Sequence, residues 1–351
     1  MDTNRAPSVI VVSHESALRG IRFARCRYAA LPWRPLSARE VRDVMARARA
    51  SARSVDLDEL ARHGFCPGDE DTRRVHLLAS SSASRRRREN VSIHTMGVSP
   101  RGATLLEAAP GIFSVSVELA FIQCCATLSF PKALALGYEL CGTFSMCEGI
   151  WDGWDCDEGS TDPSGYLETE PATTVAALAR VVARMPHVRG VKMARSVIAN
   201  LLDGARSPME AIVAGVFHMP ISLGGIGIKE MQLNRRIDFN RLASNASGMP
   251  YTICDAFIPS ARIDLEYNGG YHAETVSRIH DENRNRGLNA LGITVIALNH
   301  DTLRDVEALE AVGSTIFHRA KMRYRDRSRE GAARRVRLLN GMREAFGLKP
   351  C

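Results

Sequence analysis

Two carboxylates 11 residues apart, Asp255 and Glu266, lie on consecutive apolar runs of this chain. In the second run, Arg262-Ile263-Asp264-Leu265-Glu266-Tyr267-Asn268, strand alternation puts Ile263, Leu265 and Tyr267 on one face. Asp264, Glu266 and Asn268 share the other. Pro259-Ser260-Ala261 is short enough to join the runs as a hairpin, which brings Asp255 beside the Asp264–Glu266 face. Carboxylates held that close repel unless a cation lies between them or one takes up a proton. A Mg²⁺ or Mn²⁺ ion relieves the repulsion with oxygen ligands from Asp255 and Glu266, and it can activate water against a phosphodiester. Asp264 competes for either ligand position.

The surrounding residues keep plainer readings beside the chemical ones. Asn268-Gly269 is a type I′ turn signal. Asp281 and Arg284, three apart on a helix, make a solvated pair. Glu210 in a first helical turn favours the helix dipole. His272 serves as a surface or capping residue, and His14 as a helix-start residue.

The elements that must position these groups follow from local signals. Ser207-Pro208-Met209-Glu210 opens a helix running to about His218, with serine as cap and proline at the first position. Strands are expected at 232–237, 252–258 and 262–267, a helix over 281–291 closed by Gly292, a buried strand at 294–298, and basic helical segments to about Phe346. The order helix, three strands, helix, strand, helix describes a compact α/β unit from residue 201 to 351. Residues 1–200 read as a mixed, largely helical region. Its strands are expected at 9–12, 75–79, 91–94, 104–106 and 113–115, with a capping-box helix opening at Ser37. Residues 147–166 read as a long loop or disordered insert, and 80–90 as an exposed basic loop.

At 351 residues two domains are the natural expectation, and 45% apolar with 24% charged residues is the balance of a soluble globular protein. No apolar run reaches membrane length and no signal peptide is recognisable, so a cytoplasmic location is expected. Nine cysteines, an odd number, are expected as buried thiols. No C-x-x-C pair appears and histidines are not interleaved at metal spacing, which argues against zinc at the cysteine-rich 124–156 segment. The net charge of +7 is compatible with a polyanion, with basic residues concentrated at Arg85, Arg86, Arg87 and Arg88 and again over 319–343.

Cys254-Asp255-Ala256, Leu265-Glu266-Tyr267-Asn268-Gly269-x-x-His272, Asp281-x-x-Arg284-x-x-x-Leu288-x-x-x-Gly292 and Val295-Ile296 together resemble the PD-(D/E)XK superfamily. The most similar branch comprises bacterial domains related to the very-short-patch-repair (Vsr) endonucleases, and the likeness spans about residues 200 to 305. It implies a restriction-endonuclease-like fold, a central mixed sheet flanked by helices. It further implies Asp255 and Glu266 as ligands of Mg²⁺ (or Mn²⁺), Glu210 orienting the attacking water, and His272 as base or phosphate donor. Asp281 and Arg284 would support the site or contact phosphate; apart from the resemblance, the basic residues Arg286, Arg85, Arg86, Arg87 and Arg88 are candidate nucleic-acid contacts. Asn268 stands where the superfamily has lysine. It cannot act as a base, although its amide oxygen can ligate a metal. Val11-Val12-Ser13-His14-Glu15-Ser16-Ala17-Leu18 resembles, over a few residues, AbiEi-type antitoxins and regulators of abortive-infection systems.

The expected function is therefore divalent-metal-dependent hydrolysis of DNA phosphodiester bonds, in phage defence or DNA repair, with DNA and a toxin, antitoxin or defence-system protein as partners and no membrane. The alternative is a catalytically degenerate nuclease fold acting as a DNA-binding regulator or antitoxin-like protein, or as an interaction scaffold.

Overall fold

The computed structural model describes residues 9–48, 55–67, 74–80, 89–95, 105–147, 165–268, 275–324 and 328–351. Arg85 to Arg88, His272, the turn expected at 100–102 and most of the expected insert at 147–166 lie outside them. Among the described residues the chain divides at Ala199/Asn200 into two compact units, both mixed α/β.

The first unit is built on a six-stranded sheet. Its elements begin with β1 (Ile10–Val12), α1 (His14–Tyr28), β2 (Arg34–Pro35), α2 (Ala38–Arg47), α3 (Leu57–Arg62), β3 (Val75–Ala79) and β4 (Val91–Thr95). They continue with β5 (Leu105–Ala109), β6 (Ile112–Val115), α4 (Val117–Cys124), α5 (Phe130–Cys141), β7 (Phe144–Met146), β8 (Tyr166–Glu168), α6 (Val175–Arg184) and α7 (Val191–Ile198). Local signals hold well here. Ser37 and Glu40 form the reciprocal capping box that starts α2, and Asp56 caps α3. Strand pairing was less legible. β4 and β5 flank the expected turn but do not pair, because the sheet runs β2-β5-β6-β1-β3-β4, with β1 parallel to β6 and β3 parallel to β4. β7 and β8 make a separate two-stranded ribbon at the edge of the expected insert.

Arg25 of α1 is fully buried, and its guanidinium donates to the carbonyls of Glu139, Gly142 and Glu170 at 3.0–3.2 Å. Arg22 pairs with the buried Glu139 carboxylate. The expectation of thiols throughout is corrected at one place. Cys26 and Cys147 are joined as a disulfide, Cα atoms 6.2 Å apart, because α1 packs beside β7. Cys66, Cys124, Cys125, Cys141 and Cys254 are buried thiols.

The second unit opens with α8 (Pro208–His218), whose Ser207 cap accepts from the Glu210 N–H. Then come β9 (Gln232–Asp238), α9 (Arg241–Ser247), β10 (Tyr251–Ile258), β11 (Ile263–Tyr267), α10 (Thr275–Ala290), β12 (Thr294–Leu298), α11 (Val306–Arg319) and α12 (Arg329–Ala345). The sheet order is β12-β11-β10-β9, with β10 antiparallel to both neighbours and β11 parallel to β12. α9, two turns between an Asn240 cap and Gly248 at φ +72°, escaped the sequence reading because so short a helix is held by packing rather than propensity. α10 starts at Thr275 rather than Asp281.

Leu288 of α10 is fully buried with Cys254 of β10 and Ile293, and Phe239, Phe257 and Val295 pack around them. The basic 319–343 segment is not a uniformly solvated face. Arg335 is fully buried against Glu310 and the Tyr324 hydroxyl, and the buried Arg343 donates to the Lys349 carbonyl at 2.8 Å. No helix among the described residues is long and apolar enough to cross a membrane.

Leu288 anchors the helix that carries Arg284. Leu288→Ala is expected to lower unfolding stability by about 2–5 kcal/mol, read by urea denaturation. A loss below about 1 kcal/mol would show that α10 is held elsewhere.

Candidate functional site

Four carboxylates converge where α8, β10 and β11 meet. The β10–β11 ladder pairs Ile258 with Ile263, Phe257 with Asp264 and Ala256 with Leu265, so Asp255 and Glu266 follow as the next residue of each strand. The hairpin expected at 259–261 therefore brings the two acids together. Its tight return places Arg262 at φ +52°. From there the Arg262 side chain donates to the carbonyls of Leu291 and Gly292, tying the hairpin to the end of α10.

Arg284 reaches into this cluster from α10 and is itself buried. Its guanidinium pairs with Asp264 at 2.8 Å and with Glu266, and donates to Thr252 Oγ1 at 3.0 Å and the Ile253 carbonyl at 3.2 Å. Asp264 is fully buried. Burial pushes its carboxyl up, while Arg284 and hydrogen bonds from Cys254 and the Ala256 N–H pull it back. Arg284, expected to touch phosphate, is thus turned inward, because a buried carboxylate requires a cation.

Asp255 lacks such a partner. Among the described residues its carboxylate accepts only the Tyr267 N–H, at 3.4 Å. Burial, followed by the charges of Glu210, Glu266 and Asp264, pushes its carboxyl up to about 7, against a smaller opposing effect of Arg284. Glu210 supplies the third element. Its Oε2 accepts from the Arg206 N–H at 2.9 Å and from Asn234 Nδ2 at 2.7 Å, and burial raises its carboxyl above the usual range. Asn234 sits on β9 at φ +47°, a conformation asparagine tolerates better than most residues. The Glu210–Asn234 contact was invisible in sequence because Asn234 lies 24 residues away on another strand.

Among the described residues, the other expected positions make no hydrogen bond or ion pair with the four carboxylates. Asn268 is exposed at the end of β11, its N–H donating to the Leu298 carbonyl at 2.8 Å. Asp281 and Arg286 are exposed on α10, where Arg286 bonds within its own helix to Asn283 and the Glu282 carbonyl. His272 and Arg85 to Arg88 fall outside the described residues.

A second constellation, in the first unit, was missed from sequence. His14, His76 and His94 each offer a ring nitrogen within 4.8 Å of the others, and among the described residues they are the group of three or more metal-competent side chains gathered that closely. His76 lies on β3 and His94 on β4, in register as Leu78↔His94, so both rings project from one face of a parallel pair. His76 Nδ1 and His94 Nε2 are 2.9 Å apart, and the His14 ring stacks on His94 at 3.8 Å. Burial, then His94, His76 and Arg189, push the His14 imidazole down to about 3, so it is neutral at physiological pH. The separations of 62 and 18 residues match no local metal motif, and the only signal was a single histidine on each of two short apolar runs.

The Asp255 environment fixes a pH dependence. Its folded value near 7 lies above an unfolded value near 3.8, so the folded state binds the extra proton. In chelator, wild-type stability should fall as pH rises from about 4 through 7 and then level off. A shift of roughly three pH units at 1.36 kcal/mol each sets a ceiling of about 4 kcal/mol on the loss. Asp255→Asn should flatten this slope in urea melts taken across that range. An unchanged slope would place the proton elsewhere.

Compared with protein-family profiles, with curated proteins and with solved structures, the chain matches none.

Proposed function

We propose that the second unit hydrolyses phosphodiester bonds in DNA with the help of a divalent cation. The juxtaposition of Asp255 and Glu266 at the open end of the β10–β11 ladder, with Glu210 beside them, carries this reading. The donor set fits the ion. Mg²⁺ is held by one or two carboxylates while keeping several waters, and Asp255 and Glu266 supply two hard oxygen donors. Glu266 gives one oxygen to Arg284, and its Oε1 has no partner among the described residues. Bound there, Mg²⁺ or Mn²⁺ would supply charge neutralisation and water activation.

The chain's own residues do the rest. Glu210, fixed by Asn234 and the Arg206 N–H, orients the attacking water and receives its proton. Arg284 holds Glu266 at a set angle by pairing with it and with Asp264. Arg235 is exposed on β9 opposite Cys254, one position from Asp255, and can bind the DNA backbone. The net charge of +7 favours the same partner.

One observation favours a second reading. Arg284 already pairs with both Asp264 and Glu266 and offsets one of their two charges, and the exposed Asn268 offers no base. A fold whose Glu266 is held by Arg284 rather than by a metal would bind DNA without cutting it.

Nicking of supercoiled DNA with Mg²⁺ or Mn²⁺ decides between them. Wild type should nick, and Glu266→Ala and Asp255→Ala should each retain less than about one-hundredth of that rate while still binding DNA. Folded wild-type protein that binds DNA with a steep salt dependence but never nicks it would establish the second reading.

A further inference from the structure

We propose that His14, His76 and His94 form a binding site for one divalent transition-metal ion of the Zn²⁺ class, with an open coordination position facing the adjoining cavity. The site belongs to the first unit and is independent of the carboxylate centre.

Three half-buried imidazoles, drawn from α1, β3 and β4, face one another with a ring nitrogen of each within 4.8 Å of the others. His76 Nδ1 meets His94 Nε2 at 2.9 Å. Two lone pairs at that distance need a proton or a metal between them. Nitrogen donors select Zn²⁺, Co²⁺, Ni²⁺ or Cu²⁺ over the hard ions that suit Asp255 and Glu266.

The supporting contacts are those a metal-bound histidine needs. His14 Nδ1 lies 2.9 Å from Ser13 Oγ, and a proton donated there leaves Nε2 to bind metal. The His14 N–H donates to Gln123 Oε1 at 2.9 Å, which holds the residue at φ +54°, a conformation that costs free energy and persists only where its surroundings impose it. The other two ligands stand on a parallel strand pair, a rigid base.

Three protein ligands with a vacant fourth position are the arrangement of a reactive rather than a purely structural zinc site. The vacancy has somewhere to open. A cavity of about 520 Å³ adjoins the triad, with Thr95, Thr127, His187 and Arg189 on its wall. Gly190, next to Arg189, sits at φ +94°. A Cβ there would lie 2.0 Å from the Ile122 carbonyl oxygen, so only glycine lets the 187–190 turn seat against α4. Arg189 and the metal together would draw a small anion such as a phosphate or carboxylate group.

The test uses the full-length chain stripped with chelator and titrated with Co²⁺ alone. One equivalent should bind and develop visible ligand-field bands, Zn²⁺ should bleach them, and inorganic phosphate should shift them by entering the open position. His76→Gln and His94→Gln should each weaken binding at least about 100-fold. Glu266→Ala should bind as wild type, which separates this site from the proposed nuclease centre. Should the histidine variants fail to fold, Zn²⁺ protection of wild-type histidines from diethylpyrocarbonate, mapped by mass spectrometry to His14, His76 and His94, gives the same answer. Absence of a Co²⁺ spectrum, unchanged affinity in folded variants, or no protection would overturn the metal site. A spectrum indifferent to phosphate would overturn the open position.

Discussion

The second unit turns on one buried cation. Arg284 is the counter-charge that allows Asp264, a fully buried carboxylate, to sit inside the sheet. Removing either partner of such a pair leaves an uncompensated charge, at a cost of about 3–5 kcal/mol. The pair therefore ties α10 to β10 and β11 more specifically than the apolar contacts of Leu288 alone. It also fixes Glu266, which shares the same guanidinium. The consequence falls on Asp255. With Arg284 committed to its neighbours, Asp255 is left among Glu210, Glu266 and Asp264 with its charge poorly balanced. The strain of like charges is concentrated at one carboxyl, which is where a proton or a hard cation is most stabilising.

The histidine cluster states the same problem with the opposite chemistry. Burial disfavours the protonated form of His14 and of His76, and at His14 the neighbouring His94 and His76 add to it. One unit thus gathers oxygen donors with excess negative charge, and the other gathers nitrogen donors with none. The hardness of the donors would favour different ions at the two proposed sites, and neither proposal depends on the other.

Local signals were the most legible. Ser37 and Glu40, Ser207 with Pro208, and the 294–298 strand needed only neighbours within a few residues. The alternation of 262–268 correctly paired Asp264 with Glu266 on one strand face, and the three-residue turn correctly brought Asp255 to them. Less legible was any charge that had to choose among partners. Arg284 reads from sequence as a helix-surface arginine and is a buried strut. Arg335 and Arg343 sit in a run of basic residues and point into the protein. Nothing in a list of residues says which cation a buried carboxylate will recruit, since that depends on which faces meet.

By itself the sequence determined the mixed α/β character of both halves, most element positions in the second half, and the closeness of Asp255 to Glu266, because capping, alternation and short turns act over a few residues. Only the tertiary structure decided that Arg284 pairs with two of the four acids, that Asn234 steadies Glu210, and that His14, His76 and His94 come together from three segments. These contacts join residues tens of positions apart. They follow from strand order and helix packing, which collective burial sets and no local pattern encodes.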